Sequence, residues 1–195
     1  NMSVFSLYLQ LGIEHIADVN GYDHILFILV LCIGYTWHQW RQILILVTAF
    51  TIGHSLTLAL ATLQVLSVST EWIEFLIPVT IVLTALGNIL QNRFGKSSAT
   101  HAVRYGMALF FGLIHGLGFS NYLQQLLGME ESIVMPLLAF NVGIELGQLI
   151  IVAIITLLTL LAVDILKSPR REWNLVFSGA ALGISFIMAL ERLPF

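Results

Sequence analysis

Residues 133–163 read IVMPLLAFNVGIELGQLIIVAIITLLTLLAV, and this stretch decides the fold class. Glu145 is its only charged residue. The stretch is longer than the run of about 20 apolar residues that a helix needs to cross the hydrocarbon core of a bilayer. Such a segment is typical of a transmembrane helix that is tilted or that extends beyond the bilayer. We therefore expect lipid to be the solvent around it.

The composition of the whole chain agrees with a protein embedded in lipid. Of its 195 residues, 58% are hydrophobic and 10% are charged, whereas soluble domains carry about 25% charged residues. The net charge is −3 and no basic run is present, so nucleic acid is not an expected partner. The single cysteine, Cys32, cannot form an intramolecular disulfide.

Apolar stretches predict an all-α membrane protein with one transmembrane domain, 1–195, built as a bundle of six transmembrane helices. Residues 3–16 are apolar but too few to span, so we predict a short interfacial or re-entrant helix before the bundle. Residues 1–16 lack a basic segment and a small-residue cleavage site, so no signal peptide is expected there. The predicted spans cover 22–37, 42–65, 72–92, 103–121, 133–163 and 174–191.

The basic residues are divided unevenly between the predicted loops. Loops 66–71 and 122–132 contain acidic residues but no Lys or Arg, and Arg192 is the one basic residue near their side. Basic residues favour the cytoplasmic side of a membrane, which predicts that both termini lie outside. The other seven follow the first, third and fifth spans: Arg41, Arg93, Lys96, Arg104, Lys167, Arg170 and Arg171.

Histidines and carboxylates cluster where the first span begins. His15, Asp18, Asp23 and His24 fall within ten residues, and this combination could bind a divalent cation. Adjacent residues point about 100° apart on a straight helix. Asp23 and His24 can therefore serve one ion only if the backbone is irregular, or if one of them supports the other. Helix capping by Asp18 or Asn20 is the alternative, but it does not explain two histidines.

Polar residues also lie inside the second span. Thr48, Thr51 and Ser55 share one helix face, with His54 beside it. Residue counting places His54 roughly 18 Å deep, near the middle of the bilayer. The alternative is that His54 only bonds to a neighbouring helix and holds the two together.

Further polar residues lie in the fourth and fifth spans. His115 lies between Gly112 and Gly116, a small-xxx-small pair that allows close helix packing. In the fifth span, Asn141, Glu145 and Gln148 form a stripe, and Glu145 lies at the same predicted depth as His54. We expect His54 and Glu145 to form an inner site, with His24 and His115 further out. A Glu145 that only bonds to a partner helix is the alternative.

These residues predict a metal site or path, because ionisable groups within a membrane usually mark one. Imidazole nitrogen favours transition metals such as zinc and nickel over magnesium or calcium. His38 and His101 lie in loops and are interpreted as ordinary surface residues. The predicted ligands are His15, Asp23, His24, His54, His115, Asn141 and Glu145, supported by Thr51, Ser55 and Gln148.

At these positions the sequence resembles the HupE/UreJ family of nickel and cobalt permeases over most of its length. The resemblance implies a nickel or cobalt ion as substrate and a bacterial inner-membrane location, and the imidazole ligands are also compatible with zinc. It rests on four motifs in order: His15 with Gly21-Tyr-Asp23-His24, Phe50-Thr51-x-x-His54-Ser55-x-Thr57-Leu58, Phe111-Gly112-Leu-x-His115-Gly116-Leu-Gly118-Phe119, and Asn141-x-Gly143-x-Glu145-x-Gly147-Gln148.

Three functions are compatible with these residues. A secondary or passive metal transporter needs ligands along a path, and ligands at several depths favour this reading over the others. An intramembrane metal-dependent hydrolase would need an open ligand position and a substrate cleft. A structural or assembly subunit would use its polar residues only between helices. No phosphate-binding loop motif is present. The expected partners are the metal ion and the bilayer, with a homo-oligomer left open, and no enzyme activity is expected.

Overall fold

Helices make up the fold of the described residues. The computed structural model describes residues 3–66, 68–94, 100–127 and 132–194. Short 3₁₀ and π segments, Trp37–Gln39 and Leu160–Ile165, lie before α3 and after α7. The helices are α1 (Val4–Ile16), α2 (Asp23–Cys32), α3 (Trp40–Thr62), α4 (Thr70–Phe94), α5 (Thr100–Gly118), α6 (Ser120–Leu127), α7 (Val134–Thr159) and α8 (Arg170–Glu191).

Apolar length identifies the chain as an integral multi-pass membrane protein. Within the described ranges, four helical segments are long and apolar enough to cross a membrane: Trp37–Thr62, Thr70–Gln91, Val134–Ile165 and Arg170–Glu191. A fifth is present if α5 and α6, which meet at a bend of 53°, form one span. Large apolar side chains on these helices face outward, including Val134, Ile150 and Val176. Six uninterrupted spans, as hydropathy predicted, are therefore not seen.

The predicted first span, 22–37, contains only the ten-residue helix α2. Ten residues cover about 15 Å, roughly half of the hydrocarbon core. Turns follow at residues 33 and 34, and Thr36 then caps the 3₁₀ segment before α3 together with Gln39. The predicted fourth span, 103–121, also differs, because the helix bends after Gly118.

The N-terminal helix exists, but it does not lie apart from the bundle. Ser3 caps α1 by accepting a hydrogen bond from the Ser6 backbone N–H at 3.2 Å. The helix then packs lengthwise on α7: a Cβ on Gly12 would collide with the Phe140 carbonyl, and one on Gly143 with the Leu9 carbonyl. Further along, Gly147 lies against Ile13. The contacts advance in step along both helices, so α1 and α7 run parallel.

A second close pair is formed by α3 and α5. A Cβ on Gly53 would collide with the Leu109 carbonyl, one on Gly112 with the Phe50 carbonyl, and one on Gly116 with the His54 carbonyl. Small residues at such positions let two backbones approach closely where lipid gives no hydrophobic drive for association. The predicted small-xxx-small pair is therefore a real helix contact, and it brings α3 next to His115.

The two ends of the bundle differ in charge. At the acidic end, α4 begins near Glu71 and Glu74, and α8 ends at Glu191. At the basic end, α3, α5 and α8 begin near Arg41, Arg104 and Arg170. These two names are used below for the two ends.

Candidate metal site

Three imidazoles from three helices meet inside the bundle. His15 lies at the end of α1, His24 in the first turn of α2, and His54 in the middle of α3. One nitrogen of each ring lies within 4.8 Å of the corresponding nitrogens of the other two. We call these residues the histidine trio. His54 is fully buried, and both of its ring nitrogens, together with Nε2 of His15 and of His24, have no hydrogen-bond partner.

The three converging rings offer unpartnered nitrogens that could hold a cation. A buried polar atom without a partner loses its hydration without compensation, at a cost of about 1–3 kcal/mol. Three adjacent imidazoles also cannot all be protonated without strong mutual repulsion. Their lone pairs are therefore available to an ion of the size and softness that imidazole prefers.

The break between α1 and α2 is what brings His15 to His24. Their ring centroids are 4.7 Å apart. Residues 17–22 form the break, and the Asp18 Oδ1 atom accepts the Asn20 backbone N–H there at 2.8 Å. After the break, His24 lies against His115 and Phe27 against Phe111. Since α5 runs from the basic to the acidic end, α2 continues the direction of α1 towards the basic end.

Asp23 supports His24 from behind. Its Oδ1 atom lies 3.1 Å from His24 Nδ1, and its Oδ2 atom lies 3.4 Å from Nη1 of Arg192. A carboxylate on Nδ1 keeps the proton there and leaves the Nε2 lone pair for a ligand. Asp23 and His24 both lie in the regular first turn of α2, so the irregular backbone that the sequence offered as one alternative is not found between them. The contact from Asp23 to His24 corresponds to the other alternative, in which one residue supports the other.

His115 is a fourth imidazole beside the trio. Its ring centroid lies 5.1 Å from that of His24. Its Nε2 atom is 3.0 Å from Thr80 Oγ1, whose own proton is donated to the Ile77 carbonyl at 2.7 Å. The hydroxyl must then accept from Nε2–H, which leaves Nδ1 of His115 with its lone pair and without a partner.

An open cavity of about 360 Å³ connects the acidic end to these rings. Two exposed carboxylates, Asp18 and Glu74, line its mouth, while His24 and His115 line its buried base. Asp23 and Arg192 also contribute to the wall. Carboxylates in a cleft raise the local concentration of cations, so the cavity is suited to receive a positive ion.

Aromatic rings close the bundle on the other side of the histidines. Phe27, Phe50 and Phe111 are buried, and the Phe27 ring centroid lies 5.0 Å from that of Phe50 and 5.9 Å from that of Phe111. The Phe27 ring is also 5.2 Å from that of His115. The three rings, which we call the phenylalanine seal, separate the histidines from the basic end.

Three hydrogen bonds of 2.8 Å join α3 to α7 on another face of α3. Thr48 donates to Glu145, Thr51 donates to Gln148, and Ser55 donates to Asn141. The predicted polar stripes thus meet each other as a ladder. Asn141, Glu145, Thr51, Ser55 and Gln148 belong to this ladder and not to the histidine trio.

The predicted inner pair of His54 and Glu145 is not formed. Glu145 bonds to Thr48, which lies about 120° around α3 from His54 at 100° per residue. His54 instead joins His15 and His24, so these residues share one level and are not staggered in depth. Residue counting gave similar depths for His54 and Glu145, but depth does not fix the helix face.

Several site residues were not expected from the sequence. Thr80 sets the tautomer of His115, Arg192 pairs with Asp23, and Phe119 packs on His15 with ring centroids 3.9 Å apart. Thr80 could have been noticed as a hydroxyl within a span, and Arg192 as the one basic residue near the acidic loops. Phe119 ends the motif around His115, but as one of 12 phenylalanines it gave no indication that it packs on His15.

The fold and the site define a multi-pass helical membrane protein with a buried histidine cluster. The chain belongs to the HupE/UreJ family, since the family model described as HupE / UreJ protein matches residues 1–190. This is a family of membrane permeases and accessory proteins and not of enzymes, and it indicates a protein related to metal transporters. No curated protein and no solved structure is significantly similar to the chain.

Proposed function

We propose that this protein is a secondary or passive transporter of a divalent transition-metal ion, with nickel or cobalt favoured by the family. The observation that carries the proposal is the histidine trio at the base of an open cavity with carboxylates at its mouth. The carboxylates attract a cation, and the unpartnered imidazole nitrogens select a transition metal over magnesium or calcium. Zinc is also compatible with these ligands.

The proposed ligands are His15, His24 and His54. His115, whose ring lies beside that of His24, is the adjacent fourth imidazole. Asp23 orients His24 and is itself held by Arg192. The ion would enter from the acidic end and would pass the phenylalanine seal to leave at the basic end. In this arrangement the seal is closed, so transport requires Phe27, Phe50 or Phe111 to move. Asn141 and Glu145 lie on the α3–α7 ladder, and Glu145→Gln tests whether this ladder contributes to the path.

The proposed membrane topology has six crossings. Helices α1 and α2, which run in the same direction and are interrupted at 17–22, form one discontinuous crossing, and α3, α4, α5 with α6, α7 and α8 form the others. Interrupted helices near binding sites recur among transporters. The partition of Lys and Arg supports a topology with the basic end in the cytoplasm and both termini outside. The family supports a bacterial inner membrane as the location.

The membrane potential can drive this transport without ATP. Two positive charges moving inward at 100 mV gain about 4.6 kcal/mol. No phosphate-binding loop motif occurs in the chain. Uptake should therefore rise when an inside-negative potential is imposed on vesicles.

The test is uptake of nickel or cobalt into proteoliposomes that are held at a defined membrane potential. Wild-type protein should take up these ions in preference to magnesium or calcium. His24→Ala should remove uptake, because it deletes a proposed ligand that lies in both the histidine trio and the wall of the cavity. His38→Ala, which alters an exposed histidine before α3, is the matched control. Equal uptake by wild type and His24→Ala would refute the proposal.

A further inference from the structure

A second polar pocket, of about 180 Å³, lies at the basic end. Its wall carries three arginines, Arg104 from the start of α5 and Arg170 and Arg171 from the start of α8. The pocket shares no residue with the cavity that leads to the histidine trio. It plays no part in the metal site described above.

The side-chain oxygens that line the pocket already accept hydrogen bonds from other side chains. Arg104 Nη2 donates to Asn88 Oδ1 at 3.0 Å and to Gln91 Oε1 at 2.6 Å. The amide oxygen of Asn174 accepts from Ser178 at 3.0 Å. Because these side-chain oxygens already have donors, what the wall offers to a ligand is the remaining N–H groups of guanidinium and amide.

Gly34 opens the pocket by having no side chain. A Cβ at this position would lie 3.1 Å from Asn174 Nδ2 and 3.6 Å from a terminal nitrogen of Arg104. The Gly34 carbonyl accepts from Arg170 Nη2 at 3.0 Å. Three separate donors are thus gathered around the space above one glycine.

No carboxylate balances these arginines among the described residues. None of the residues that line the pocket is acidic. Within the described ranges, the side-chain ion pairs closer than 4 Å involve Asp23, at the opposite end of the bundle. Three guanidinium groups without a counter-charge in a pocket favour an anion, and the planar fork of arginine matches phosphate oxygens.

Aromatic residues indicate that the pocket lies at the level of lipid headgroups. Trp37 and Trp40 follow Gly34 in sequence and are about half exposed. Trp173 follows the two arginines of α8, and its indole N–H donates to Thr159 at 3.2 Å. Tryptophan is enriched where membrane meets water, so the arginines are within reach of phosphates in the adjacent leaflet.

We propose that the pocket of Arg104, Arg170 and Arg171 binds a phosphate group, supplied by the headgroup of an anionic phospholipid. Basic pockets between helices at the cytoplasmic face suit such headgroups. Free inorganic phosphate offers the same oxygens and is the other source of this chemistry. The bound lipid would tie α4, α5 and α8 together at the basic end.

The experiment measures thermal unfolding of the full chain in neutral detergent, with no metal added. One series adds phosphatidylglycerol, a second adds phosphatidylcholine, and a third adds inorganic phosphate. Phosphatidylglycerol should raise the Tm of the wild type in a saturable way, and phosphatidylcholine should not. If inorganic phosphate raises the Tm and phosphatidylglycerol does not, the lipid headgroup is not the source of the bound phosphate.

Two variants separate the pocket from general charge attraction. Arg171→Gln removes an exposed guanidinium that makes none of the hydrogen bonds described here, so it should fold, and it should bind phosphatidylglycerol about tenfold more weakly. Gly34→Ala narrows the pocket without changing charge and should also weaken binding. Arg41→Gln, at the same end but outside the pocket, should behave as wild type. Equal weakening in Arg171→Gln and Arg41→Gln, or no stabilisation by either phosphate source, would overturn the proposal.

Discussion

The Oδ1 atom of Asp23 lies 3.1 Å from Nδ1 of His24, the next residue in the chain. The same oxygen accepts the backbone N–H of His24 at 2.9 Å, so the carboxylate sits at the start of α2 and faces the ring beside it. A negative group is also favourable at a helix N-terminus. The sequence neighbours therefore act as one unit, in which Asp23 orients the ring and His24 presents Nε2 to the histidine trio.

Asp23→Asn should weaken metal binding about 10-fold to 100-fold, the usual cost of losing a group that orients a metal-binding histidine. Calorimetric titration of nickel into protein in detergent measures this effect. Glu74→Gln is the matched control, since it removes one charge from the mouth of the same cavity without touching a ring. If Asp23→Asn and Glu74→Gln weaken nickel binding equally, the Asp23 carboxylate acts only through its charge and does not orient His24.

Arg192→Gln should strengthen metal binding. The Arg192 guanidinium is 3.4 Å from Asp23 and adds a positive charge near an ion of the same sign. Its removal should tighten binding about threefold to fivefold at low salt, and the gain should shrink as salt screens the repulsion. Arg41→Gln, at the basic end, should leave the affinity unchanged. Weaker binding in Arg192→Gln would mean that the arginine chiefly holds Asp23 in place.

Gly112→Ala should lower the free energy of unfolding by about 1–3 kcal/mol, as overpacking does. Its Cβ would meet the Phe50 carbonyl, so α3 and α5 would have to separate. Gly106→Ala is the control in the same helix, because nothing lies within 4 Å of its Cβ. Thermal unfolding of the two variants gives the comparison. Similar Tm values in both would contradict the close packing of these helices.

Hydropathy and spacing predicted much of the bundle. The long apolar runs correspond to α3, α4, α5, α7 and α8, with ends close to those expected. They were predictable because helices exposed to lipid consist mostly of apolar residues. The N-terminal helix was predicted too, but not its packing on α7. That packing depends on Gly12 meeting Gly143, a contact between residues far apart in the chain.

The sequence named the residues of the candidate site but did not predict which of them lie next to each other. His15, Asp23, His24 and His115 lie close together as expected. His54 was expected at a deeper level with Glu145, but it joins His15 and His24. Glu145 was assigned to His54 by depth alone, and the helix face separates them. The side of α3 that turns towards α7 depends on how α3 packs between α5 and α7. The sequence of one helix alone does not determine this packing.

Glu145→Gln should leave metal binding at the histidine trio unchanged. The amide oxygen can still accept from Thr48, so the α3–α7 ladder and the fold should persist. We nevertheless expect metal uptake to be lost, as the sequence predicted, since Glu145 is the one carboxylate well inside a long span. Nickel titration and proteoliposome uptake on the same preparation separate the two effects. Normal uptake would show that Glu145 only joins two helices.

We propose that His15, His24 and His54 together bind one transition-metal ion. Anomalous diffraction at the nickel edge from nickel-soaked crystals tests it most directly. One peak should lie among the three rings, within about 2.0–2.3 Å of a nitrogen of each, the normal bond length for such ions. Peaks found only beside the exposed histidines His38 and His101, with none at the trio, would contradict the claim.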